Sequence, residues 1–202
     1  MLTTAEMDQV CDVLIEHEGL IPWLYCDSLG YVTVGVGDKV TERTVTTMPF
    51  VRLSNGAAVD SEAKLAAFAR VKAFFHAGLT ASAYTACSDL RLSADYCRRR
   101  LELRVKSEFV PAVEKHCPQF ERFPTEAKLA LVDIAYNVGA AGFGKFQTLI
   151  ARCNARHFGA AARAVHTKKQ GEDASNVKTW GRRNMWRYTM MLQAWSATVA
   201  IR

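Results

Sequence analysis

Three residues near the N-terminus have the types and spacing to do chemistry. Glu18 falls at i+4 from Leu14 and i+3 from Ile15. It therefore extends the apolar stripe of a helix, where a carboxylate is uncommon. It also stands in the last turn, where the helix dipole disfavours negative charge. Burial and dipole both favour the neutral carboxyl, so the position predicts a side chain that keeps its proton near neutral pH, as a general acid must. Asp27 lies beyond it in a turn, where Asp is common for its own hydrogen bonding. Together they give two carboxyls on different elements, one expected protonated and one ionised, the layout used in glycoside hydrolysis. Thr33 follows on the polar face of a strand, where its hydroxyl could hold a water. Each residue also has a plainer reading: a solvated terminal Glu, an Asx-turn Asp and a β-branched strand residue.

The elements that must position these residues are legible. Thr3 with Glu6 fits a capping box, and Met7, Val10, Cys11, Leu14 and Ile15 form a helical stripe that Gly19 ends. Trp23-Leu24-Tyr25 reads as a strand, Asp27-Ser28-Leu29-Gly30 as a turn, and Tyr31 to Val36 as the returning strand. In that strand Val32, Val34 and Val36 alternate with Tyr31, Thr33 and Gly35. Gly35 and Gly37 open the backbone on the Thr33 side, as happens where a ligand or another backbone comes close. Residues 41–60 read as loop with one further strand. Asp60 or Ser61 then caps a helix that stops at Gly78, and residues 79–92 are ambiguous. Ser93 caps a long helix that Pro111 kinks or breaks. Pro124-Thr125-Glu126 opens the most apolar helix, predicted to be buried and central and to end at the glycines from Gly139. Shorter helices over 145–154 and 156–166 follow. A polar loop from Lys168 to Lys178, which includes Lys169, leads into a last helix through Met185, Tyr188, Leu192 and Trp195. The fold class is α+β, mostly helical, with one small N-terminal sheet.

Composition narrows the rest. The 202 residues are 50% hydrophobic and 23% charged, which is globular and not disordered. No apolar run approaches a membrane span and the N-terminus carries no signal-peptide pattern. The six cysteines form no C-x-x-C pair and no zinc-finger spacing; with the missing signal they suggest synthesis in a reducing cytosol. Cys11 and Cys97 fall among apolar helical positions, as core thiols do. The net charge of +6 is uneven: residues 1–50 carry a net of −6 and residues 145–202 a net of +9. The basic part implies an anionic partner or, more plainly, a solvated face.

The stretch Glu18-Gly19-Leu20 followed by Tyr25-Cys26-Asp27-Ser28-Leu29-Gly30-Tyr31-Val32-Thr33-Val34-Gly35-Val36-Gly37 resembles the catalytic motif of phage-type lysozymes, glycoside hydrolase family 24. That motif sets Glu, Asp and Thr at E-x8-D-x5-T among fixed glycines and an aromatic. The likeness continues over about 1–40 and 90–197. Ala130 to Gly139 resembles the family's buried helix, which ends at the cleft. The resemblance thus implies Asn137 as a substrate contact, beside Tyr25 and Gly37 of the motif. Gly181-Arg182-Arg183 resembles a basic turn in which one Arg pairs with the catalytic Glu, and register leaves Arg182 and Arg183 equal. The chain departs from the pattern at Asp38, where the family has His, and over residues 41–90, which have no clear counterpart.

The resemblance implies a lysozyme-like two-lobed fold in one catalytic domain over 1–202. Residues 19–90 would form the small β-containing lobe, with an insertion at 41–90, and residues 91–202 the helical lobe, packed with a helix over 3–18. It implies a muramidase that cleaves the β-1,4 bond between N-acetylmuramic acid and N-acetylglucosamine, by inversion, as a monomer, with no cofactor and no metal. The partner would be peptidoglycan, not nucleic acid, with no transmembrane segment. The chain would be made in the cytoplasm and act in the periplasm or wall. A holin among the neighbouring genes would mark an endolysin, an immunity protein an antibacterial toxin. The alternatives are a lytic transglycosylase, against which Asp27 counts, and a non-catalytic cationic protein that binds wall or perturbs membranes.

Overall fold

The computed structural model describes residues 1–168 and 171–200. In chain order these form α1 (Thr4–Glu18), β1 (Ile21–Cys26), β2 (Val32–Gly35), β3 (Asp38–Lys39), α2 (Glu42–Thr47), β4 (Val51–Arg52), α3 (Ser61–Ala73), a 3₁₀ stretch at Ala81–Cys87, β5 (Leu90–Arg91) and α4 (Ala94–Arg104). A π-helical turn at Val105–Phe109 leads into α5 (Val110–His116), then α6 (Thr125–Val138), α7 (Ala140–Phe143), α8 (Gln147–Asn154), α9 (Phe158–Ala161) and α10 (Arg182–Val199). This is the mostly helical α+β class that the patterning predicts. The chain divides into two compact units, Leu14–Glu102 and Met1–Val13 with Leu103–Arg202.

In the Leu14–Glu102 unit, β1, β2 and β3 form an antiparallel sheet in that order, and β4 pairs with β5. The register sets Tyr25 opposite Thr33 and Thr33 opposite Lys39, while Ile21 faces Gly35 across an irregularity in β1. One face, with Leu24, Cys26, Val32 and Val34, packs with Val45, Met48, Phe50, Phe68, Val71 and Tyr84. So small a sheet needs such a cover to be stable. The cover is tied by polar bonds at its edges. Asp60 caps α3 by accepting from Ala63 N (2.8 Å), and buried Lys64 donates to Thr46 O at the end of α2 (3.1 Å). Trp23 Nε1 donates to Ala81 O (2.9 Å), and Leu92 N to Pro22 O (2.8 Å).

Several boundaries differ from the sequence reading. The returning strand is Val32–Gly35, and the chain turns through Gly35 (φ 66) and Gly37 (φ 59) into the unforeseen β3. These glycines serve that left-handed turn. The neighbour of Gly35 is Cys97 of α4, whose Sγ and Cα would lie 3.4 and 3.9 Å from a Cβ there. Residues 41–60 hold the helix α2, started by a Thr41/Thr44 capping box in a Thr-rich stretch that reads as loop. α3 ends at Ala73, short of Gly78. Pro111 neither breaks nor stops the chain, because the wider turn at Val105–Phe109 delivers it to the start of α5, where Pro is tolerated. α7 lies between the glycines that were expected only to terminate α6.

In the other unit the Thr3/Glu6 capping box forms as predicted, with Thr3 N donating to Glu6 Oε2 (2.8 Å) and Glu6 N to Thr3 Oγ1 (3.2 Å). Glu6 Oε1 also accepts from Lys128 Nζ (2.8 Å) and Thr125 Oγ1 (3.0 Å), which joins the chain's first helix to α6. Every residue from Ala127 to Ala135 is buried, as the apolar pattern of α6 requires, although Lys128 and Asp133 are charged. Asp133 accepts from Arg187 Nε and, bidentately, from Nε and Nη2 of Arg183. Buried charge without such partners would be strongly unfavourable. Arg187 also donates to Thr167 Oγ1 (2.7 Å) and Asn184 Oδ1 (3.0 Å). Lys169 of the polar loop lies outside the described residues.

Candidate active site

Glu18, Asp27 and Thr33 all belong to the Leu14–Glu102 unit. Glu18 is the last residue of α1, and Gly19 in the left-handed conformation (φ 78) closes the helix by donating to Ile15 O (2.9 Å). The turn sends the chain into β1 three residues after Glu18. Its side chain is exposed, which corrects the expectation of burial. The packed stripe runs through Met7, Val10, Cys11 and Leu14 and thins at half-buried Ile15, so Glu18 stands one turn past its end.

Asp27 opens the turn between β1 and β2. Its Oδ1 accepts from Leu29 N and Tyr31 N (both 2.9 Å), and Lys39 Nζ stands 3.3 Å from its Oδ2. The Asx-turn role is therefore real, and it fixes the carboxylate. Lys39 is also placed over the Tyr31 ring, 4.1 Å from its centroid. Both charges of the Lys39–Asp27 pair reach solvent, so the pair is worth no more than about 1 kcal/mol. Its effect is to point Lys39 at one oxygen.

Thr33 shares the sheet face of Asp27, since Tyr25, Thr33 and Lys39 are cross-strand neighbours. It is only 2% exposed, so the expected open polar face is closed at this position. Its Oγ1 donates to Tyr31 O (2.9 Å). The Tyr31 backbone thus bridges the two residues: its N–H goes to Asp27, and its carbonyl accepts from Thr33 Oγ1 and from Asp27 N. Tyr31 and Lys39 were not singled out in the sequence; only their parity with Thr33 could have found them.

Gly37 is half-buried in the turn before β3. Asp38, where the resembled family has His, is buried and pairs with Arg100, whose Nε and Nη2 lie 2.9 and 2.7 Å from Oδ2. It ties β3 to α4. Asn137 is exposed in the last turn of α6, and Arg182 is exposed at the start of α10. Arg183 is half-buried and held by Asp133. Asn137, Arg182 and Arg183 belong to the other unit. Asp133 and Arg187 were missed, although a carboxylate inside the most apolar helix was a visible signal. Among the described residues no group of three His, Cys, Asp or Glu side chains forms a metal site, and no helix is long and apolar enough to cross a membrane. The cysteines are free thiols, buried except for half-buried Cys87, and burial pushes Cys97 up to about 11.

No family model and no curated protein matches this sequence. Among solved structures, a crystal structure of a P22 lysozyme mutant is similar to the chain, with a TM-score of 0.54 at 16% identity over 95% of this chain and 98% of that one. At that identity the likeness is one of fold, and the fold is lysozyme-like.

Proposed function

We propose that this chain is a peptidoglycan hydrolase that cleaves the β-1,4 bond between N-acetylmuramic acid and N-acetylglucosamine. The observation that carries the reading is the Asp27–Tyr31–Thr33 bridge, set on a sheet that begins three residues after Glu18, within a lysozyme-like fold. Glu18 protonates the leaving oxygen. Thr33 Oγ1 directs its O–H to Tyr31 O, so it meets other groups only as an acceptor. Asp27, held in place through Tyr31 and Thr33, positions a water for attack on the anomeric carbon from the face opposite the leaving group. Water delivered from that face inverts the centre. Tyr25, Gly37 and Asn137 serve as substrate contacts. The polymer places the site of action at the cell wall, with an endolysin or a toxin as the two biological settings.

The test is release of reducing sugar from purified peptidoglycan. Glu18→Gln, folded by circular dichroism, should lose on the order of a hundredfold or more, and Asp27→Asn should lose most activity. Products lighter by one water would instead indicate a lytic transglycosylase. Near-parental hydrolysis by folded Glu18→Gln would sink the assignment, and full activity in Asp27→Asn would remove its water-positioning role.

A further inference from the structure

The unit that holds α8 to α10 contains a groove of about 620 Å³ that the proposed chemistry does not use. Trp195, with Leu192 and Val199 on the same helix, forms one side, and Arg156, His157 and Gly159 line the other. Trp195, one of two tryptophans on α10, is 50% exposed. Two positions run against local backbone preference, in opposite directions. Arg156 closes the end of α8 with φ 58, the one non-glycine among the described residues with positive φ. Its N–H donates to Cys153 O and the next N–H to Arg152 O (both 2.8 Å), a helix ending that favours glycine. Yet an arginine is kept there, its Nη1 anchored on Arg122 O (3.1 Å). Gly159 does the reverse. It sits inside α9, where alanine is preferred, and a Cβ there would come within 3.1 Å of the Trp195 indole. The bare backbone lets the indole lie flat against it.

We infer that this groove is a second glycan-binding site, which takes an N-acetylhexosamine segment of a polysaccharide with the indole as its platform. An aromatic face packs against the C–H face of a pyranose ring, and the hydroxyl and acetamido groups need polar partners at its edge, here Arg156 and His157. The cationic edge also suits a glycan that carries carboxylates. A lipid surface would call for apolar side chains standing proud, whereas Trp195 lines a concavity. The inference deepens the peptidoglycan reading by giving the same polymer a hold away from the reacting carboxyls.

The experiment uses the full chain with Glu18→Gln to suppress turnover. Tetra-N-acetylchitotetraose is titrated while the Trp195 indole N–H resonance, identified by its loss in Trp195→Phe, is followed by NMR. A saturable shift is expected. Retention on insoluble peptidoglycan should fall about tenfold in Trp195→Ala and in Arg156→Gly. The second variant relieves the positive φ, so its melting temperature guards against loss of folding. An unmoved Trp195 resonance, a shift only with anionic phospholipid vesicles, a shift that tracks protein concentration in place of sugar, or parental retention in both variants overturns the site. Failure of the hydrolase reading appears separately, as absent hydrolysis by the parent, and leaves the indole signal unaffected.

Discussion

Replacing Asp133 by Leu, which has the same number of side-chain heavy atoms, isolates a buried cation. Asp133 is 1% exposed and Arg187 fully buried. In Asp133→Leu, Arg187 keeps Thr167 Oγ1 and Asn184 Oδ1 as acceptors but loses the carboxylate on its Nε. Arg183 is 20% exposed and can swing its guanidinium to water; Arg187 cannot. Breaking a buried pair from one side costs about 3–5 kcal/mol. That is a large part of a total stability of about 5–15 kcal/mol. At roughly 2–4 °C per kcal/mol for a chain of this size, melting should fall by about 6–20 °C. Arg187→Met should cost less, because Asp133 retains the Arg183 fork. The double variant, with no buried charge left at either position, should recover most of the loss. Thermal unfolding followed by circular dichroism on the four chains gives the coupling directly. If Asp133→Leu costs under about 1 kcal/mol, or if the single changes add within about 0.5 kcal/mol, the pair is not an obligate unit and the reasoning fails.

Three further outcomes are expected. Burial pushes the Glu6 carboxyl up, but the bonds from Lys128, Thr3 and Thr125 outweigh it and hold it below its ordinary value. Such a group stabilises the fold above the unfolded value of 4.5 and loses that contribution as pH falls through the folded one. Glu6→Gln should therefore be less stable than the parent at pH 7, and urea titrations of the two should converge in acid. Gly35→Ala forces a side chain into the left-handed region and should cost about 1–2 kcal/mol by the same titration; no loss would mean that the turn into β3 relaxes freely. Clearance of whole cell wall should fall steeply with salt, since exposed charges are screened over about 8 Å at physiological ionic strength. Neutralising Lys168, Lys169 and Lys178 should flatten that dependence; an unchanged salt profile would reduce the +9 charge of residues 145–202 to a solvated face.

What the sequence made legible was local. The Thr3/Glu6 box, the Asp60 and Ser93 caps and the Gly19 stop depend on residues a few positions apart, and all form. The Val32/Val34 alternation, read from strand period, placed these two valines in the core, and packing buries the other face of β2 as well. Two short elements escaped for lack of pattern: β3 has two residues, and α2 is built from threonines whose caps, not whose periodicity, make it helical. Asp133 with Arg187 escaped for another reason. The partners are 54 residues apart, and nothing local distinguishes a paired buried charge from a misplaced one. At the candidate site the types and spacing of Glu18, Asp27 and Thr33 were legible. The exposure of Glu18 and the enclosure of Thr33 were not, because both depend on what the rest of the chain packs against them.

The division of the chain has a consequence in time. Leu14–Glu102 is one unbroken stretch, whereas the other unit is made of Met1–Val13 and the segment that starts at Leu103. On a ribosome that adds about 5–20 residues per second, Glu6 waits roughly 6–24 s for Lys128, its partner 122 positions away. Once Glu102 has been added the sheet and its cover have all their residues, while Glu6 still lacks Lys128. The vectorial order is thus middle first, ends last. A nascent chain halted between Glu102 and Lys128, with the Leu14–Glu102 unit clear of the ribosome, should protect the Val32–Gly35 strand from protease and leave Met7, Val10 and Cys11 open to cleavage.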